Sequence, residues 1–254
     1  MSNKQVFLTK ESPILWRVTF NNPPVNIFGP KTIPQLNEIL SQIETDEKLK
    51  VVVFDSAIDG FFMTHYDFLS PAEETNSLPP GPTGLLPWPD MLVRLSRAPV
   101  VSIAKIRGRA TGCGSELALA CDMRFASREL TIMGHFEVGV GIVPGGAPMA
   151  RLPRLIGRGR ALEVLLGADD IPGDLAVRPR SRSGDGGVLC IYRPAGDATE
   201  DQVVIGPGAS QSGRRGNTAW LSRWPAREGL VDLSRHHSAG SFLNAKKYGY
   251  EYFT

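Results

Sequence analysis

The sequence predicts an α/β fold built around one core domain, and three observations carry that reading. Two short, almost wholly apolar runs, VVVFDS (51–56) and PVVSIAKI (99–106), are too brief for helices and have the texture of strands buried on both faces. Residues 33–50 space Ile33, Leu36, Leu40 and Ile43 at three- and four-residue steps, the period of an amphipathic helix. The length, 254 residues, suffices for one ordinary α/β core, alone or with an appendage.

The elements follow in order along the chain. ILWRVTF (14–20) mixes β-branched and aromatic residues and stops at the turn signal NNPP, so it reads as a strand. After the helix over 33–50 and the strand over 51–56 comes SPAEETNSLPPGPTGLLPWPD, whose prolines and turn residues predict a long loop: a lid, a binding loop or a tolerated insertion. The strand over 99–106 leads into a turn carrying Gly108, Gly112 and Gly114, then a helix beginning SELALACD. DMRFAS and LTIM read as two short strands, GHFEVGVGIVPGG as a loop, and the tract ending near GRALEVLLGADD as a helix.

Net charge is only +2, which excludes the large electrostatic footprint of a phosphate-backbone binder; no nucleic-acid partner is expected. Cys113, Cys121 and Cys190 share no CxxC or CxxH spacing, so neither a disulfide framework nor a zinc site is indicated, and no metal is expected. His236 and His237 have no carboxylate or thiol at ligand spacing. The N-terminus carries neither a signal-peptide pattern nor an Arg-rich transit pattern, and no run approaches the roughly 18–20 apolar residues of a membrane span. A soluble protein of a reducing, cytoplasmic compartment without membrane partners is expected.

The glycine turn fits none of the common phosphate cradles. GxGxxG fails because Leu117 stands where the third glycine belongs, and GxxxxGK[ST] fails because Cys113 follows Gly108 at five residues and no Lys comes after. GxSxG fails around Ser115, flanked by Cys113 and Leu117. What remains is a set of uncovered backbone N–H groups at a helix N-terminus, where dipole and unpaired donors favour negative charge. Such a layout suits an oxyanion hole. A tight strand-to-helix connection is the plainer reading of a glycine cluster, but it leaves Glu116 at the junction unexplained.

Taken together, PPVNIF, VVVFDS followed by GFFMTHYDF, PVVSIAKIRGRATGCGSELALACDMRFAS, and GHFEVGVGIVPGGAPMARLPRLIGRGRALEVLLGA resemble the crotonase superfamily of enoyl-CoA hydratases and isomerases, over roughly residues 5–175. The resemblance implies a crotonase-like (ClpP/crotonase) spiral of ββα turns. It implies an acyl-CoA thioester substrate, no cofactor apart from the coenzyme A carried by that substrate, and a homotrimer or hexamer. Two backbone donors of an oxyanion hole are implied at Tyr66, just before Asp67, and at Cys113, between Gly112 and Gly114. Thr64, His65 and Tyr66 replace the small residues usual in the family, so a more crowded pocket mouth is expected.

Glu116 and Glu137 match the two acids of the hydratase branch, which together hold a water, so the resemblance favours a lyase that hydrates a 2-enoyl-CoA. Isomerisation or thioester hydrolysis at the same hole, and a non-catalytic acyl-CoA-binding remnant, are the alternatives. Taken alone, Glu116 is also explained as a first-turn acid complementing the helix dipole, and Glu137 as a loop carboxylate. His65 and His135 are lone histidines for which packing is the ordinary explanation; His135 lies two residues from Glu137, and tuning of that acid's pKa is the alternative reading. Trp88 reads as a cap on the acyl chain or an anchor for the loop.

From about Val177 the texture changes. The remainder is rich in Arg, Gly, Ser and Pro, and its apolar residues keep neither a 3.6 nor a 2 period. We therefore expect a core over 1–175 and an atypical, irregular segment over 176–254, in which the family's closing helices are not recognisable. A disordered tail has this composition, and so has a GC-rich gene read in the wrong frame. Asp185, Asp197, Glu200 and Asp201 interrupt its arginines and argue against a nucleic-acid-binding tail.

Overall fold

A computed structural model describes residues 4–176, 190–192, 202–204 and 230–232. Two sheets carry the fold. The larger begins with the antiparallel pair β1 (Val6–Ser12) and β2 (Leu15–Phe20), and continues through β3 (Val51–Ser56), β5 (Val101–Ile106) and β7 (Met123–Ser127), each parallel to the strand before it. The smaller contains β4 (Gly60–Met63), β6 (Gly108–Thr111) and β8 (Ile132–Gly134) in parallel, with β9 (Ile171–Pro172) antiparallel at its edge.

Successive strands alternate between the sheets. β3 is followed by β4, β5 by β6, and β7 by β8, and helices α3 (Pro87–Arg97) and α4 (Cys113–Ala120) close the first two turns. This is the expected spiral of ββα turns. β5 is buried along its whole length and β3 along all but its last residue, which is why both read as unbroken apolar runs.

α1 (Thr32–Thr45) forms where its period predicts, burying Ile33, Leu36, Ile39, Leu40 and Ile43, and ends before the charged stretch 46–50. In α4 all eight residues are buried, so it is enclosed on every side instead of amphipathic, and Ser115 and Glu116 are carried into the core with it.

Several elements differ from the sequence expectation. β1 is a strand although Lys10 and Glu11 break its pattern; it is an edge strand with exposed positions and needs only one apolar face. The stretch expected as a loop contains the short α2 (Ala72–Asn76), and its last four residues open α3, with Pro87 in the first turn, where proline loses no hydrogen bond. The glycine turn holds a strand, β6. The helical tract after the second acid is two helices, α5 (Pro148–Ile156) and α6 (Arg158–Gly167), divided at Gly157, and α7 (Gly173–Ala176) follows. Within the segment expected to be irregular, β10 (Cys190–Tyr192), β11 (Gln202–Val204) and β12 (Leu230–Asp232) extend the larger sheet beyond β7. The remaining expectations for 177–254, including those for His236 and His237, lie outside the described residues.

Candidate active site

The site assembles where the smaller sheet meets the N-terminus of α4. Gly112 caps that helix at φ +52°, a conformation L side chains avoid. A Cβ on Gly114 would lie 1.8 Å from the Met63 carbonyl oxygen, so only glycine lets α4 come this close to the end of β4. The Gly114 N–H then donates to the Thr64 carbonyl at 3.3 Å and ties the helix start to the 64–67 loop.

In that loop the backbone of Phe28 brackets Tyr66. The Phe28 N–H donates to the His65 carbonyl at 3.1 Å, and the Phe28 carbonyl accepts from the Asp67 N–H at 2.7 Å. This turns the Tyr66 N–H to the other side, where it has no partner among the described residues. The Cys113 N–H, first in its helix, meets no acceptor beyond its own side chain among the described residues. Asp67 closes the loop: its carboxylate accepts from the Ser70 hydroxyl at 2.7 Å and the Leu69 N–H at 3.0 Å, which holds its pKa below the usual carboxylate range. Bulky side chains pack along this loop. The His65 ring packs against Phe68 and Phe136, and the Tyr66 hydroxyl bonds Thr75 on α2.

Glu116, only 1% exposed, is held through both oxygens. Oε2 accepts from the Trp88 indole N–H and Oε1 from the Gly146 N–H, each at 2.6 Å. Arg151 donates to the Gly146 carbonyl at 2.7 Å and adds its positive charge from behind. Burial raises the Glu116 carboxyl above the usual carboxylate range, and Trp88, Gly146 and Arg151 offset part of that rise. Trp88 is placed by α3: the Asp90 carboxylate accepts from the Thr83 N–H and hydroxyl, and Arg94 ties the helix to Glu44 on α1. Sequence reading missed this donor, because no spacing links Trp88 to Glu116 across 28 residues.

Glu137 opens a 3₁₀ turn (Glu137–Val140) after β8 and is also buried. Its Oε2 has no hydrogen-bond partner, and burial, with the Glu116 charge adding to it, pushes the carboxyl up to about 7. Cys113 lies within the field of both acids, and burial first, then Glu116 and Glu137, push its thiol well up, so it is a poor nucleophile. Among the described residues no group of three or more His, Cys, Asp or Glu could hold a metal ion, and no helix is long and apolar enough to cross a membrane.

The family model for enoyl-CoA hydratase/isomerase matches residues 10–178. The chain belongs to that family. Within the crotonase superfamily it is similar to the short-chain-enoyl-CoA hydratase of Clostridium acetobutylicum, 32% identical over 179 residues that cover 70% of this chain and 67% of that one. It is also similar to the mitochondrial methylglutaconyl-CoA hydratase of Mus musculus, 30% identical over 190 residues covering 72% and 58%. A solved enoyl-CoA hydratase structure from Bacillus anthracis superposes with a TM-score of 0.61 at 26% identity, over 73% of this chain and 69% of that one. The chain therefore spans between about half and two thirds of the curated relatives it matches.

Proposed function

We propose that the protein adds water across the 2,3 double bond of an enoyl-CoA thioester. The observation that carries this is the pair of buried acids in unlike surroundings, Glu116 held through both oxygens and Glu137 with its Oε2 unpartnered, beside the Tyr66 and Cys113 backbone N–H groups. In this reading the Tyr66 and Cys113 N–H groups bind the thioester oxygen and stabilise the enolate as it forms, each contributing about 3 kcal/mol. Ionised Glu116 accepts a proton from the water as its oxygen bonds to C3. Protonated Glu137, with its pKa of about 7, delivers a proton to C2. Gly112 and Gly114 admit the thioester, and Asp67 holds the Tyr66 amide in place by fixing the loop.

Relatives named as hydratases support the reaction class. The experiment is hydration of a short 2-enoyl-CoA by the full chain, with Glu116→Gln and Glu137→Gln as variants. Each substitution is expected to cut the rate by about 10³-fold. Mass spectrometry is expected to find one water added and the thioester intact. Unchanged rates in both variants, or a free acid as product, would overturn the reading.

A further inference from the structure

Two buried polar atoms without partners face each other beside the site. His135 Nδ1 and Glu137 Oε2 stand 3.8 Å apart, and neither makes a hydrogen bond although both side chains are over nine-tenths buried. On the far side of the imidazole, Nε2 lies 2.9 Å from the hydroxyl of Ser115, the residue before Glu116 on α4. The three side chains form a line from the helix to the second acid. Orphaned buried groups are costly, so a pair that a shift of about 1 Å would join calls for explanation.

The geometry points to His135 as a positioning residue for the reaction proposed above, its Nδ1–H holding Oε2 of Glu137 so that the carboxyl proton sits on Oε1, towards the substrate. Burial keeps the imidazole neutral, down at about 4, so one ring nitrogen donates and the other accepts. In the proposed arrangement the proton sits on Nδ1, with the Ser115 hydroxyl donating to Nε2 at 2.9 Å. Nδ1–H then donates to Oε2 both before and after Glu137 passes its proton to C2. The imidazole and the serine keep their own protons throughout, and only the Oε1 proton leaves.

Other charges around the pair set the background. From α4, Cys113 and Glu116 face it, and Arg151 on α5 acts through Glu116. His135 also lines a pocket of about 260 Å³ whose titratable and charged residues are His65, Arg109, Asp169 and Asp170. Arg109 and Asp170 neutralise each other in a two-pronged ion pair at 2.8 Å.

The inference rests on Glu137 being the proton donor, and its test separates the two ideas. Hydration is followed against pH for the wild type, His135→Leu and His135→Asn. Glu137's proton, lost near pH 7 without the Nδ1–H bond, should give the wild type an alkaline limb somewhat below that pH. His135→Leu removes the donor that favours ionised Glu137, so its limb should move up by about one unit, whereas Asn, which keeps an N–H at the same reach, should restore it. A folded His135→Leu variant with an unmoved limb would overturn the proposal. ¹⁵N spectra of the wild-type imidazole test it without any variant: the Nδ1–H tautomer is expected, and the Nε2–H tautomer would overturn it. Full activity in Glu137→Gln would instead sink the underlying reading, with the tautomer result unaffected.

Discussion

Glu116 and Glu137 lie within electrostatic reach of each other, yet the protein treats them in opposite ways. Around Glu116 the spiral brings together three distant pieces of chain: the first turn of α3 with Trp88, the turn before α5 with Gly146, and α4 itself. Around Glu137 it places a 3₁₀ turn and the unpartnered Nδ1 of His135. Donors stabilise a carboxylate, whereas burial with fewer of them favours the protonated carboxyl. In the proposed reaction two residues of one type would thus serve as a base and an acid, the division of labour that addition of water to a double bond needs.

The comparison can be broken most severely by removing either acid, for which we expect losses of about 10³-fold in hydration, measured as loss of the conjugated thioester absorbance. Next is Gly146→Ala, whose Cβ would stand 2.5 Å from the Glu116 carboxyl. Displacing that group by about 1 Å should lower kcat by about 10²-fold. Gly145→Ala meets nothing within 4 Å and serves as the control expected to keep most of the rate.

Smaller effects sharpen the contrast. Trp88→Phe deletes one donor to Glu116 and should move the acid limb of the pH profile up by about one unit, with the alkaline limb unchanged. Glu137 also predicts a trend in stability. Its pKa rises from 4.5 to about 7 on folding, so the folded state binds the extra proton between those values and stability falls as pH rises through that window. Glu137→Gln removes the ionised form, and after allowance for solvent screening should stabilise the protein by about 1 kcal/mol at pH 8 and not at pH 4, read from urea unfolding.

Much of this was legible in the chain. The buried strands β3 and β5, helix α1 and the glycine turn before α4 announce themselves by period and composition, and the order of motifs marks the family. The two acids are legible because they stand at fixed places in those motifs. What surrounds them is not. Trp88 lies in a proline-rich stretch that resembles a loop, and its indole meets Glu116 only because Pro87 starts a helix there and α3 packs on α4. Ser115 and His135 are 20 residues apart on a helix and at the end of a strand, and no spacing rule joins them. β4 and β6 escape notice because four-residue strands bounded by glycine lack a period to detect.

The unequal treatment of the two acids is tested most directly by titrating them in place. ¹³C NMR of the full chain labelled at the glutamate side-chain carboxyls, with Glu116→Gln and Glu137→Gln used to assign the two signals, would follow each proton separately. The account predicts that the Glu137 signal moves around pH 7 and that the Glu116 signal moves at clearly lower pH, rising when Trp88 is replaced by Phe. Titration of Glu116 above Glu137, or of both together near the ordinary carboxylate range, would contradict it.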